Sequence, residues 1–111
     1  MSLLITTAPY EKGVNVLVEG EVDVSNAAEL REALDAALAL VAGAVGSRHV
    51  EVDVSKVPYI DSTGIGVLVG TAHRAADQGA TFSVAHPQRN VARVLSLLGL
   101  DGELGVRGAQ E

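Results

Sequence analysis

The chain of 111 residues contains no cysteine, which excludes disulfides, thiol catalysis and zinc sites built on thiolates, and suits a reducing cytoplasm. It has no tryptophan, one phenylalanine and two tyrosines, so no aromatic platform exists on which nucleic-acid bases could stack. Positive charge is also scarce. Eight Lys and Arg against fourteen Asp and Glu leave a net charge of -6, a field that opposes direct binding to phosphate polymers. No apolar run approaches the roughly 18 to 20 residues that a bilayer crossing requires. The N-terminus "MSLLITTAPYEK" lacks the basic flank and long apolar stretch of a signal peptide, so a cytoplasmic protein away from membranes is expected.

What remains is an apolar fraction of 48% with 20% charged residues, the balance of a folded globular chain. The length fits one domain over 1–111 with one core and leaves no room for a second. Function must therefore be carried by the fold itself.

In "GVNVLVEGEVD", Val14, Val16 and Val18 alternate with mostly polar neighbours, the period of two of a strand with one wetter face. The preceding "LLITTAPYEKG", with Pro9 near its end and Gly13 in a turn, reads as the edge strand of a hairpin. Leu30, Ala33, Leu34, Ala37, Leu38 and Val41 then recur at helical spacing, with Ser25 or Asn26 as N-cap and Glu29 placed as a capping-box partner for Asn26. Gly43 and Gly46 end that helix. Val50, Val52 and Val54 mark a third strand, and after Pro58 the period returns to 3.6, with Ile65, Leu68, Val69, Ala72 and Ala76 on one face and Gly79 as its stop. "TFSVAH" reads as a fourth strand. "NVARVLSLLGL" reads as a third helix with Val91, Val94, Leu95 and Leu98 inward, before a Gly-rich tail, 101–111, expected to hold at most one short strand and then fray.

The order β-β-α-β-α-β-α makes the chain α/β, with a mixed sheet: an antiparallel N-terminal hairpin followed by parallel β-α-β units in right-handed crossovers.

The chemistry concentrates in "YIDSTGIGVLVG", residues 59–70, where strand gives way to helix. Asp61, Ser62, Thr63 and Gly64 fall at the helix start, where amides lack internal partners and the macrodipole places about half a positive charge. A carboxylate, hydroxyl or phosphate is stabilised there. The plain reading is that Asp61 or Ser62 caps the helix. Catalysis is less well supported, because no G-x-S-x-G surrounds Ser62 and no histidine is an evident base. His49, His73 and His86 are scattered without H-x-x-x-H spacing, so no metal or other cofactor is expected. "GIGVLVG" lacks the lysine of a phosphate-binding G-K-[ST] loop. The helical wheel turns Gly66, Gly70 and Val67 away from the sheet, near Thr63 and Arg74. Glycines inside a helix cost roughly 1 kcal/mol each against alanine, so this small surface serves close approach, either by a partner or by a neighbouring helix of the same domain.

"EGEVDVSNAAELREAL", "VEVDVSKVPYIDSTGIGVLVGTAHRAADQGATFSV" and "NVARVLSLLGL" together resemble, over about residues 12–100, the STAS family of bacterial anti-sigma factor antagonists. The resemblance implies a STAS-like fold and a switch rather than an enzyme. It makes Ser62 a phosphoacceptor and places Asp23, Asp61, Thr63, Gly64, Gly66 and Val67 on the partner-binding surface. It further implies that the unmodified protein captures an anti-sigma factor that is also a serine kinase, releasing a sigma factor, that phosphorylation blocks capture, and that a PP2C-type phosphatase restores it. A monomer or weak homodimer is the expected assembly. The other reading is a STAS scaffold or a subunit of a transport or signalling assembly without sigma-factor control. Members often close with a further amphipathic helix where this chain ends in "LGVRGAQE".

Overall fold

A computed structural model describes residues 2–110. The elements are β1 (Leu4–Tyr10), β2 (Gly13–Glu19), α1 (Ala27–Val41), β3 (His49–Lys56), α2 (Ser62–Asp77), β4 (Thr81–Ala85) and α3 (Arg89–Leu97). Their order is the one the periodicities indicate. The sheet runs β1-β2-β3-β4, with β1 antiparallel to β2 and the pairs β2/β3 and β3/β4 parallel.

Because successive parallel strands advance in one direction, two right-handed crossovers put α1 and α2 on the same face of the sheet. The strand alternation supplies that face. Val14 pairs with Val50 and Val16 with Val52, and Val52 pairs with Val84, so one layer of valines lies beneath the helices. Leu30, Leu34 and Leu38 of α1 and Ile65, Leu68 and Ala72 of α2 close over it, all buried in one apolar cluster. Arg74 on α2 bridges to Asp35 on α1 at 2.9 Å, which ties the two helices together on their outer side.

Three local expectations on the first two helices are corrected. Asn26 is the N-cap of α1 by position, but its side chain turns back: Oδ1 accepts the Asp23 amide at 3.0 Å and Nδ2 donates to the Glu21 carbonyl. Glu29 reaches not to Asn26 but to the amide of Leu3, at 3.0 Å. On α2, Ala76 is exposed while Thr71 and Ala75 are buried, a rotation of the inner face by one residue. Thr71 tolerates burial because its hydroxyl donates to the Val67 carbonyl at 2.8 Å, one turn earlier.

The third helix meets the core through a narrower stripe than its periodicity suggests. Val91 and Leu95 are buried, whereas Val94 is 41% and Leu98 58% exposed, since a nine-residue helix at the sheet's flank touches the core along a single i, i+4 line. The short strand expected in the tail is a one-residue parallel bridge of Arg107 to Ala85, and ahead of it Leu104 is fully buried. The Arg107 amide donates to Val84 and its carbonyl accepts from His86. Full burial of one leucine contributes about 1.5–3 kcal/mol, enough to hold a short segment across the β4 edge.

Candidate functional site

Two loops leave the same end of the parallel strands: residues 20–26 after β2 and residues 57–61 after β3. They are zipped together. Val22 and Ile60 form an isolated parallel bridge, with the Val22 amide donating to Tyr59 at 2.9 Å and the Asp61 amide donating to Val22 at 3.0 Å. Both side chains are buried, so this extension of the β2/β3 ladder lies on the core rather than in solvent.

Asp61 locks the junction a second time. Its Oδ1 accepts the Gly64 amide at 2.9 Å, capping α2, and its Oδ2 accepts the Val24 amide at 3.1 Å from the other loop. One carboxylate thus fixes the helix start and the neighbouring loop at once. Replacing Asp61 with Ala is expected to lower unfolding free energy by about 1 kcal/mol. Amide hydrogen exchange at Val24 as well as Gly64 should quicken, and unchanged exchange at Val24 would refute the double lock.

Asp23 stands in the same loop, with its carboxylate accepting the backbone amide and hydroxyl of Ser25. Those bonds, the hydroxyl's first, hold its carboxyl below the usual aspartate range, so it is anionic at neutral pH. The site therefore presents two acidic side chains, Asp61 and Asp23, in loops joined by the Val24–Asp61 hydrogen bond.

Ser62 and Thr63 are exposed on the first turn of α2. Their amides have no carbonyl one turn earlier within the helix, so the backbone around the Ser62 hydroxyl is electropositive. Exposed apolar side chains flank them: Val24 is 76% and Tyr59 49% exposed. Sequence reasoning missed both, although each lies within two residues of an aspartate it had selected, Val24 of Asp23 and Tyr59 of Asp61. The signal was an apolar residue inside each polar loop, one or two positions from a buried residue of the Val22–Ile60 bridge.

Gly64, expected on the partner surface, is buried instead. A Cβ there would lie 2.6 Å from Val22 Cγ1 and 2.7 Å from Ile60 Cγ1, so the glycine lets α2 press its first turn onto the bridge. The glycine face divides further along. Gly66 is exposed with nothing within 4 Å of an added Cβ, while Gly70 lies beneath the Arg74 side chain that bridges to α1. Val67 is half-buried against the core. Ser62, Thr63 and Gly66 therefore form the outward surface, while Gly70 is covered by Arg74 of its own helix. A Gly66→Ala change is expected to raise stability by up to about 1 kcal/mol in urea unfolding, since the methyl meets no obstacle and helix propensity improves.

Among the described residues no group of three or more His, Cys, Asp or Glu is arranged to hold a metal, and no helix is long and apolar enough to cross a membrane.

The protein-family model described as "Mlab, STAS domain" matches residues 7–107. The chain belongs to the STAS-domain family. Among related proteins, the anti-sigma-B factor antagonist of Bacillus subtilis is 28% identical over the whole chain and 96% of its own length. The crystal structure of an anti-sigma factor antagonist from Mycobacterium paratuberculosis superimposes with a TM-score of 0.80 at 23% identity, covering 94% of this chain and 84% of that one. The anti-sigma factor antagonist SpoIIAA, 16% identical, is known in its unphosphorylated form (TM-score 0.74, covering 97% and 90%). Its phosphorylated form, described as a Bacillus cell fate determinant, gives 0.70, covering 97% and 93%. This STAS domain thus shares the α/β fold of proteins that act as anti-sigma factor antagonists.

Proposed function

We propose that this STAS protein is an anti-sigma factor antagonist whose capture of an anti-sigma factor with serine kinase activity is governed by phosphorylation of Ser62. The observation that carries the reading is the placement of Ser62: an exposed hydroxyl on the first turn of a clamped helix, next to the Asp61 cap. Such a hydroxyl is open to a kinase, and the rigid frame beneath it tolerates modification without rearranging.

A phosphate adds about -1.5 to -2 charge at pH 7. The helix start accommodates it within the protein, but Asp61 and Asp23 already make this corner acidic. A partner shaped to the neutral hydroxyl and to the apolar Val24 and Tyr59 would meet both like-charge repulsion and an anion to desolvate. Capture then fails while the fold persists, and a phosphatase of the PP2C type resets the switch in the cytoplasm. The names of the relatives support the antagonist role itself.

The test is direct. Incubated with its cognate anti-sigma kinase and ATP, the protein is expected to gain one phosphate, assigned to Ser62 by peptide mass spectrometry. No incorporation, or incorporation only elsewhere, would overturn the proposal.

A further inference from the structure

The end of the sheet opposite Ser62 carries a second concentration of chemistry. An open groove of about 650 Å³ lies where β3 and β4 begin, beside the β1–β2 turn, and its walls include Tyr10, Lys12, Arg48, His49, Thr81 and Arg107. In a chain of net charge -6, three of the eight Lys and Arg line this one groove.

Two carboxylates share the wall, Glu11 and Glu51. Glu51 is buried and paired with Arg107, which donates to it through Nε at 2.8 Å and through Nη2. Neither Lys12 nor Arg48 is in an ion pair among the described residues. Both are exposed at the rim, where Glu11 is the carboxylate not paired with Arg107, and Arg48 Nε donates to the Ala44 carbonyl.

The hydroxyls of the groove are also oversupplied with protons. His49 has Nδ1 at 2.6 Å from Thr81 Oγ1 and Nε2 at 2.8 Å from Ser83 Oγ. Burial depresses its basicity and favours the neutral ring. A neutral imidazole donates through one nitrogen and accepts through the other. Whichever tautomer forms, the hydroxyl that accepts from the ring keeps its own proton for a further acceptor. The Tyr10 hydroxyl adds another, since its oxygen is buried and has no hydrogen-bond partner among the described residues. Donors to spare and few free acceptors are the complement of an oxyanion.

We propose that this groove binds a small molecule through a phosphate or carboxylate group, held by Lys12 and Arg48 and by the spare hydroxyl protons beside His49. The site is independent of Ser62 and of any partner captured there.

Amide spectra of the full chain, recorded during titration with inorganic phosphate and separately with citrate, test this at fixed pH and fixed ionic strength set by chloride. Saturable shifts confined to Gly46, Gly79, Thr81 and Arg107 are expected, stronger with whichever anion matches the ligand's group. The double variant Lys12→Ala/Arg48→Ala, altered only at exposed positions, should weaken that binding at least tenfold. Tyr10→Phe should weaken it severalfold without moving the spectrum of the unliganded protein beyond its neighbours. Shifts that grow linearly without saturation, that persist in the double variant, or that match a chloride control would overturn the proposal.

Discussion

Replacing Ser62 with Glu is expected to weaken capture of the anti-sigma kinase by on the order of 100-fold, about 2.7 kcal/mol, while Ser62→Ala binds within a few fold of the unmodified protein. The asymmetry follows from what each side chain brings to the first turn of α2. Alanine removes a hydroxyl that solvent already satisfies, and Asp61, not Ser62, caps the helix through the Gly64 amide. Glutamate adds one charge at a corner where Asp61 and an anionic Asp23 are already held in place. Docking would bury that charge beside Val24 and Tyr59, and an unpaired charge in an interface is costly whatever surrounds it. The free protein responds in the opposite sense, because an acidic residue at a helix start is favoured by about 0.3–1 kcal/mol. Calorimetric titration against the kinase and urea unfolding should therefore diverge, with binding lost and stability kept or slightly raised. A Ser62→Glu protein that binds within threefold of the unmodified one would refute the electrostatic account. Parallel loss of binding and stability would instead point to a disturbed fold.

The order of elements, the mixed sheet and the valine layer were legible because a period of two and a period of 3.6 are written in residue types that only burial selects. The helix start was legible to within one residue, as a cap at Asp61 or Ser62 ahead of an apolar face, and the Gly64 amide decides it for Asp61. What escaped was whatever depends on two distant segments meeting. Nothing local in "GEVDVSN" says that the Val24 amide spends its hydrogen bond on Asp61, and nothing local in "DSTG" says that Gly64 faces Val22 and Ile60 rather than a partner. The same limit explains Leu104: a leucine in a Gly-rich tail carries no periodicity, and its complete burial is decided by the β4 edge it covers. On α3 the error ran the other way. Four apolar residues at helical spacing suggested four buried ones, but a short helix at the flank had room against the core for Val91 and Leu95 alone.

Gly13→Ala is expected to cost about 3–5 kcal/mol without removing any apolar contact, because backbone strain and steric overlap add. Gly13 opens β2 directly after the hairpin turn and pairs with His49 at the start of β3. Its φ of +149° is one that side-chain-bearing residues rarely adopt. A Cβ there would lie 2.0 Å from the His49 carbonyl oxygen and 2.7 Å from its amide nitrogen. Both obstacles are backbone, and the His49 amide is itself held by the Lys12 carbonyl at 2.9 Å, so neither strand can yield without giving up the first rung of the β2/β3 ladder. Gly64 offers the instructive contrast: its Cβ would meet only side-chain carbons of Val22 and Ile60, and alanine gains helix propensity there, so Gly64→Ala should cost less. For a chain of this size the Gly13 change corresponds to a fall in melting temperature of about 15 °C or more. Thermal unfolding of the two variants side by side decides the matter. A Gly13→Ala protein as stable as the parent would mean that β2 and β3 do not approach this closely, and the groove beside His49 would have to be redrawn with them.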